Sequence, residues 1–187
     1  LRISPIPKRQ HGWWRARRIV RYDACVDPHA GVGTAGAIAD FPARRFDKTL
    51  AVNLAAPFAL LQASLPLLRT AAAADPARGA KVVALSSITG VYAEAGLAAY
   101  GATKAALISL VETLNLEESG NGVSASAIAP AYVDTDMSDW IKEKIPAESM
   151  LEVNDVVELV DALLKLSSRA VLPRLVLSRA GSSLYEA

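Results

Sequence analysis

Two long stretches of the chain carry apolar residues at every third or fourth position, the spacing of a helix that packs by one face. The first stretch predicts a helix from about Ala43 to Arg69, and its apolar positions are Phe46, Leu50, Leu54, Phe58 and Leu61. The second predicts a helix from Leu97 to Ser119, which ends at Gly120-Asn121-Gly122 because glycine favours helix termination. A shorter helix is predicted from Asn154 to Leu166, with Asn154 as its N-cap.

Short apolar runs between the helices predict buried strands. Ala80–Leu85 ends in Ser86-Ser87, Val123–Ala129 stops at Pro130, and Leu175–Leu177 is the last such run. Strands that alternate with helices favour right-handed crossovers between parallel strands. We therefore expect one α/β domain over residues 23–187, with a parallel sheet between two layers of helices.

The first 22 residues show neither helical nor strand periodicity, and they are strongly basic. They hold seven Lys or Arg residues and no acidic residue, whereas the whole chain has a net charge of +1. Such a segment is compatible with a transit peptide, or with an arm that binds nucleic acid or anionic lipid, where Trp13 and Trp14 would stack on bases. We favour a disordered leader over residues 1–22, because its charge lies on no recognisable element of a fold, and we expect no nucleic-acid partner.

The remaining bulk features concern the cellular setting. Cys25 is the single cysteine, so no disulfide forms within the chain, which is typical of a reducing compartment. The longest apolar run, Leu54–Leu68, is too short for a membrane span, and no apolar segment of a secretory signal follows the basic start. We therefore expect a cytoplasmic protein with no membrane partner.

Three side chains form the strongest candidate for chemistry. Tyr100 and Lys104 are four residues apart on a predicted helix, so both lie on one face. We expect the Lys104 ammonium to lower the pKa of the Tyr100 phenol, which would make it a usable general acid or base. Ser87 closes a strand, where an open α/β sheet directs side chains into a ligand crevice, and its hydroxyl is placed to hydrogen-bond a carbonyl oxygen.

Four landmarks, in this order along the chain, resemble the short-chain dehydrogenase/reductase family. Val52-Asn53-Leu54 is similar to the family's helix asparagine motif, and residues 86–90 (Ser-Ser-Ile-Thr-Gly) with residues 100–104 (Tyr-Gly-Ala-Thr-Lys) are similar to its active-site segment. Residues 130–137 (Pro-Ala-Tyr-Val-Asp-Thr-Asp-Met) resemble its cofactor-facing loop. A lone Tyr-x-x-x-Lys is common, but four landmarks on the expected elements are specific. The resemblance runs from about residue 30 to 180 and implies a three-layer, Rossmann-like parallel sheet.

The resemblance implies an oxidoreductase that interconverts an alcohol and a ketone or aldehyde with NAD or NADP. Tyr100 would exchange a proton with the substrate oxygen, Ser87 would orient and polarise that oxygen, and Lys104 would tune Tyr100 and hold the nicotinamide ribose. Asn53 would position a water that links Lys104 to solvent, and Thr135 would contact the nicotinamide carboxamide or the nearby phosphate. The implied cofactor-binding residues are Ala30, Gly31, Tyr100, Lys104, Pro130, Val133 and Thr135, and no metal site is implied.

The chain departs from the family pattern near its start. Residues 31–36 (Gly-Val-Gly-Thr-Ala-Gly) match a dinucleotide fingerprint letter for letter, but no buried strand precedes them and no acid follows about twenty residues later. Ala30-Gly31 instead resembles the end of the family's Asn-Asn-Ala-Gly motif, with Pro28 and His29 in place of the asparagines and residues 23–26 as a degraded strand. The family's glycine-rich turn and first strand–helix units have no counterpart here.

These departures lead to two expectations about activity. We expect NAD or NADP to bind weakly, because contacts to the pyrophosphate and adenosine are missing and Pro28 has no backbone N–H. The added methyl of Ala131, where the family usually has glycine, would crowd the nicotinamide or its backbone path. The alternative is a catalytically impaired, truncated homologue that acts as an interaction or structural module through an exposed sheet edge.

The expected partners are a small-molecule substrate and further copies of the chain. A substrate loop over residues 138–150 contains Trp140, Ile141, Ile145 and Met150, which favours an apolar alcohol or carbonyl substrate, although these residues would equally pack a short helix. Glu94 either lines the mouth of this site or is a solvated loop acid, and we favour the solvated acid. In enzymes of the resembled family the two long helices commonly pack against a partner subunit, so we expect a homo-oligomer.

Overall fold

A four-stranded parallel sheet forms the centre of the protein in the computed structural model, which describes residues 20–22, 35–183 and 185. Its strands are β1 (Val20–Tyr22), β2 (Ala80–Leu85), β3 (Val123–Pro130) and β4 (Arg174–Leu177), and they lie in that order. Every neighbouring pair is parallel. The predicted α/β class with a parallel sheet is confirmed.

Several predictions for the start of the chain fall outside the described residues. These are the leader over residues 1–19, the degraded strand at residues 23–26, and the cofactor contacts at Ala30 and Gly31. Strand β1 lies at Val20–Tyr22, so the sheet includes the last three residues of the stretch assigned to the leader. The domain boundary at residue 23 stays a prediction.

The helices follow the predicted periodicity, with one interruption. The first predicted helix consists of α1 (Ala43–Leu50) and α2 (Ala56–Ala74), joined by a π-helical turn at Ala51–Ala55. Helices α3 (Ala98–Glu118) and α4 (Val153–Lys165) complete the set. By length and composition, the helical stretch Ala43–Ala74 is apolar enough to cross a membrane, although apolar helices of soluble proteins meet the same criterion.

Helices cover both faces of the sheet, as expected for three layers. Because successive side chains of a strand point to opposite faces, Val82 and Val83 belong to different cores. Val82 packs in a cluster with α2 and α3 that includes Leu68, Leu107, Ile108, Val111 and Leu114. Val83 packs on the other face with Ile128 and with Leu163 of α4. The two long helices therefore lie on one face and α4 on the other.

Two glycines bring the end of β2 against the backbone of α3. After β2 the chain makes a short 3₁₀ turn at Ile88–Gly90. A Cβ added at Gly90 would lie 2.7 Å from the carbonyl carbon of Lys104, and one added at Gly101 would lie 2.8 Å from the carbonyl oxygen of Thr89. Neither position has room for a side chain. This close approach sets Ser87 beside the first turn of α3.

Candidate functional site

Tyr100 and Lys104 lie on adjacent turns of α3, directly beside the end of β2. The Lys104 ammonium lies 5.5 Å from the centroid of the Tyr100 ring and donates a hydrogen bond of 2.8 Å to the carbonyl oxygen of Leu85. Lys104 is 1% exposed, although it is a charged residue. The Ser86 hydroxyl donates to the Lys104 carbonyl at 2.9 Å, which ties this turn of the helix to the strand end. Ser87, Tyr100 and Lys104 line the same cavity, so the structure brings the predicted cluster together.

Burial controls the protonation of this cluster. Desolvation raises the pKa of Tyr100 to about 12, and an interaction with the Ser87 hydroxyl acts in the opposite direction. Burial also lowers the pKa of Lys104 to about 8. The expectation that Lys104 lowers the pKa of Tyr100 is thus wrong for this structure, because burial, which raises the pKa, is the larger cause, and the group that lowers it is Ser87 and not Lys104.

The Ser87 hydroxyl is held by a neighbour that the sequence analysis did not single out. Its oxygen accepts hydrogen bonds from the Thr89 backbone N–H at 3.2 Å and from the Thr89 hydroxyl at 2.9 Å. A hydroxyl has one proton and two acceptor lone pairs. Since Thr89 uses both acceptor positions, the single Ser87 proton is left to be donated elsewhere.

Asn53 lies on the π-helical turn between α1 and α2 and is 2% exposed. Its side-chain amide donates to the Thr103 hydroxyl at 3.1 Å, and that hydroxyl donates to the Tyr100 carbonyl at 2.7 Å. A single π-helical turn within an α-helix is a feature that frequently marks functional sites. Asn53 is therefore bonded to Thr103, which directly precedes Lys104. A role of Asn53 in a water relay stays a prediction.

A cavity of about 290 Å³ opens in front of these residues, close to the lower size limit of small-molecule sites. Ser87, Tyr100 and Lys104 line this cavity together with the end of β3 and the segment after it. The predicted cofactor residues Pro130, Val133 and Thr135 are all among its lining. The cavity is therefore surrounded by hydroxyl, ammonium and backbone groups, and the roles of these residues toward a cofactor stay predictions.

The segment after β3 is held in a defined shape. Thr135 caps the 3₁₀ turn Asp136–Ile141, and its backbone N–H donates to the Ser138 hydroxyl at 3.1 Å. Ala131 is 6% exposed, so its methyl is covered by protein except where it contributes to the cavity wall. Trp140 of the predicted substrate loop and Met137, just before that loop, add apolar surface to the same cavity, whereas Ile141, Ile145 and Met150 are not among its lining.

Glu94 is not the solvated loop acid that we favoured from the sequence. It is half-buried, and its Oε1 accepts a hydrogen bond of 2.9 Å from the Tyr132 hydroxyl. Burial raises the pKa of Glu94, while the Tyr132 bond and the charge of Arg179 lower it. Tyr132 and Arg179 lie in segments remote from Glu94 along the chain, so only the fold reveals this grouping.

In the part of the chain that the structure describes, no cluster of three His, Cys, Asp or Glu residues could hold a metal ion.

Comparison of the sequence with known proteins finds dehydrogenases and reductases. A family profile described as short chain dehydrogenase matches residues 25–146. The 2,3-dihydro-2,3-dihydroxybenzoate dehydrogenase of Escherichia coli (strain K12) is 34% identical over 125 residues, which are 66% of this chain and 48% of that protein. Tropinone reductase-like 3 of Erythroxylum coca is 31% identical over 132 residues, 71% of this chain and 48% of that protein. The chain spans about half the length of the curated relatives it matches.

Solved structures show the same architecture. A short-chain type dehydrogenase/reductase from Mycobacterium ulcerans has a TM-score of 0.66 and 22% identity, over 77% of this chain and 54% of that one. The 4-hydroxyisoleucine dehydrogenase complexed with NADH has a TM-score of 0.61 and 24% identity, over 78% of this chain and 65% of that one. At these identities the likeness concerns the fold, and the Rossmann-like prediction is confirmed.

Proposed function

The chain belongs to the short-chain dehydrogenase/reductase family, and from this premise we propose that it is an NAD(P)-dependent oxidoreductase that interconverts an alcohol and a ketone or aldehyde. The observation that carries the proposal is the cluster of Ser87, Tyr100 and Lys104 on the wall of one cavity. Nothing comparable supports the alternative of an interaction module, since such a module has no need of a phenol, an ammonium and a hydroxyl around a cavity.

Tyr100 is the proton donor in the reducing direction. With a pKa raised to about 12, its phenol is protonated at neutral pH and has a proton to give to a carbonyl oxygen. In the oxidising direction the phenolate would have to take the proton of the alcohol, so this direction is favoured by high pH. Nicotinamide, when bound, supplies or accepts the hydride.

Ser87 polarises the substrate oxygen as a hydrogen-bond donor. Thr89 occupies both acceptor positions of the Ser87 hydroxyl, so the Ser87 proton is directed away from Thr89 and is available to the substrate oxygen. Donors that are already oriented stabilise developing negative charge without reorganisation during the reaction. Thr89 thus acts through Ser87 as a positioning residue.

Lys104, Val133 and Thr135 would hold the nicotinamide ribose and carboxamide. The Lys104 ammonium has three N–H donors, so it can donate to the ribose while it keeps its bond with the Leu85 carbonyl, and Asn53 would hold the water that connects this ammonium to solvent. No described residue selects between NAD and NADP. The expectation of weak dinucleotide binding rests on contacts to the pyrophosphate and adenosine and on Pro28 and His29, and it stays a prediction. Calorimetric titration of NADH and NADPH into the chain tests it.

The substrate's reacting carbon would lie between Tyr100 and the apolar surface of Met137 and Trp140. That surface favours a substrate with an apolar body beside its carbonyl or alcohol carbon.

Replacement of Tyr100 tests the reaction directly. The Tyr100→Phe variant should lower turnover by about 10²–10⁴-fold, because it removes the proton donor and little else. The measurement is steady-state reduction of a panel of ketones and aldehydes with NADH and NADPH, with folding checked by circular dichroism. A Ser87→Ala variant should also lose turnover, whereas Ser109→Ala on the exposed side of α3 serves as the matched control. A wild-type chain that reduces no member of the panel, or a Tyr100→Phe variant with unchanged turnover, contradicts the proposal.

A further inference from the structure

A second cavity, of about 240 Å³, lies beside the catalytic cavity. Thr89 and Tyr132 line both cavities, so the two share a wall next to Ser87. The other described walls of the second cavity include Tyr92, Glu94 and Arg179. The catalytic cavity is mainly apolar, whereas this one is surrounded by a carboxylate, a guanidinium and the three phenol groups of Tyr92, Tyr132 and Tyr185.

Glu94 has an unused hydrogen-bonding capacity in this setting. Its Oε1 accepts from the Tyr132 hydroxyl at 2.9 Å, but its Oε2 is buried and has no hydrogen-bond donor among the described residues. An ionised carboxylate accepts hydrogen bonds only, and leaving one of its oxygens unpaired in the interior is costly. Buried polar atoms of native proteins nearly always have a hydrogen-bond partner, so the unpaired Oε2 of Glu94 indicates a donor that is not part of the described chain.

We propose that the second cavity binds a hydrogen-bond-donating group of the substrate, an ammonium or a hydroxyl, with Glu94 as its acceptor. The inference rests on the proposed function, and it takes the second cavity, which shares Thr89 and Tyr132 with the catalytic one, as the far end of the same substrate site. Tyr132 fixes the carboxylate from one side, and the charge of Arg179 helps to keep it ionised. The substrate would then be an amphipathic alcohol or ketone, with an apolar body at Trp140 and a polar donor at Glu94.

Matched alcohols test this specificity. Three triplets of increasing chain length are used, each with an apolar reference, an ammonium donor and a hydroxyl donor. The first is 2-pentanol, 4-amino-2-butanol and 1,3-butanediol, and the second is 2-hexanol, 5-amino-2-pentanol and 1,4-pentanediol. The third is 2-heptanol, 6-amino-2-hexanol and 1,5-hexanediol. In each triplet only the terminal group changes. We expect at least one donor-bearing alcohol to exceed its apolar reference by about tenfold or more in kcat/KM, the effect of one hydrogen bond to a charged group. The anion 4-hydroxypentanoate should be oxidised less well than 2-hexanol.

Variants of Glu94 link the preference to this side chain. The ratio between donor-bearing and apolar alcohols should collapse toward one in Glu94→Met. In Glu94→Gln the preference for ammonium should be lost, and the preference for hydroxyl should partly survive. Glu117→Gln, on the exposed side of α3, is the matched control and should keep the wild-type ratio. Equal ratios in wild type and in both Glu94 variants, or a preference for 4-hydroxypentanoate, overturn the proposal.

Direct binding separates a failure of the subsite from a failure of the reaction. Saturation-transfer NMR of the same alcohols with the wild-type chain and with Glu94→Met reports binding without turnover. If no alcohol is oxidised but the signals of the amino alcohols depend on Glu94, the proposed reaction fails and the subsite stands. If oxidation depends on Tyr100 while neither the signals nor the kcat/KM ratios depend on Glu94, the reaction stands and the subsite is overturned.

Discussion

Lys104 shows how a single residue carries a cost of burial that depends on pH. Its ammonium is almost entirely enclosed, with one hydrogen bond to the Leu85 carbonyl, and its pKa falls from an ordinary value of 10.5 to about 8. Between these two values the unfolded chain holds a proton that the folded chain has released. The free energy of unfolding should therefore rise as the pH increases through this window, since the cost of burying the charge disappears.

Replacement of Lys104 by methionine tests this pH dependence. Over pH 8 to 10 the wild-type chain should gain on the order of 2 kcal/mol in unfolding free energy from this group, and Lys104→Met should lack that gain. The measurement is urea unfolding at several pH values within the window. Lys165→Met is the control, because Lys165 is exposed at the end of α4 and should leave the slope unchanged. Parallel slopes for wild type and Lys104→Met would show that the buried ammonium keeps its proton.

At the scale of elements, Asn115 of α3 completes the sheet where a strand is too short. Its side-chain amide donates to the Ala125 carbonyl, and its carbonyl accepts from the Ala125 N–H, both at 2.8 Å. Strand β4 pairs with β3 only from Ala127 onward, so no strand among the described residues bonds Ala125 on that side. One side chain thus satisfies two buried backbone groups and locks α3 onto β3.

Removal of this side chain should be strongly destabilising. Asn115→Ala should lower the free energy of unfolding by about 2–4 kcal/mol, because it leaves a buried N–H and a buried C=O without partners. Equilibrium urea unfolding measures the loss. Asn121→Ala, which removes one bond to Glu118 from an exposed position, should cost less than about 1 kcal/mol. Similar small losses in both variants would mean that water replaces the Asn115 contacts.

At the scale of the whole molecule, α2 and α3 leave large apolar side chains uncovered. Phe58 and Leu67 of α2 are 52% and 70% exposed, and Leu116 of α3 is 88% exposed. Ala102 and Ala105 on the exposed side of α3 are small enough for another helix to approach closely. These exposed apolar side chains offer surface that an interface would cover. The predicted homo-oligomer would cover it with the same helices of a second copy.

Sedimentation velocity tests the assembly. We expect a dimer or larger species at micromolar concentration, and Phe58→Glu should shift it toward the monomer because a charge would be buried in the interface. Ile38→Glu is the control, since Ile38 is 80% exposed but precedes α1. A stable wild-type monomer would contradict the prediction.

The sequence by itself determined the features that depend on local order along the chain. Helical and strand periodicity predicted strands β2, β3 and β4 and the helices but not β1, which lies in the stretch assigned to the leader. The four-residue step from Tyr100 to Lys104 placed both on one helix face. The π-helical turn at Asn53 was not predicted. The spacing of apolar residues does not show whether the backbone hydrogen bonds join residues five apart, as in a π-helix, or four apart, as in an α-helix.

Only the tertiary structure decided the properties that depend on burial and on contacts between distant segments. Glu94 and Tyr132 are 38 residues apart, and their bond and the cavity beside them exist only once the loop after β3 folds against the end of β2. The pKa of Tyr100 is raised by burial, and the charged Lys104 nearby is not among the causes of its shift. Desolvation depends on everything packed around a group, and a linear pattern of residues does not specify that environment.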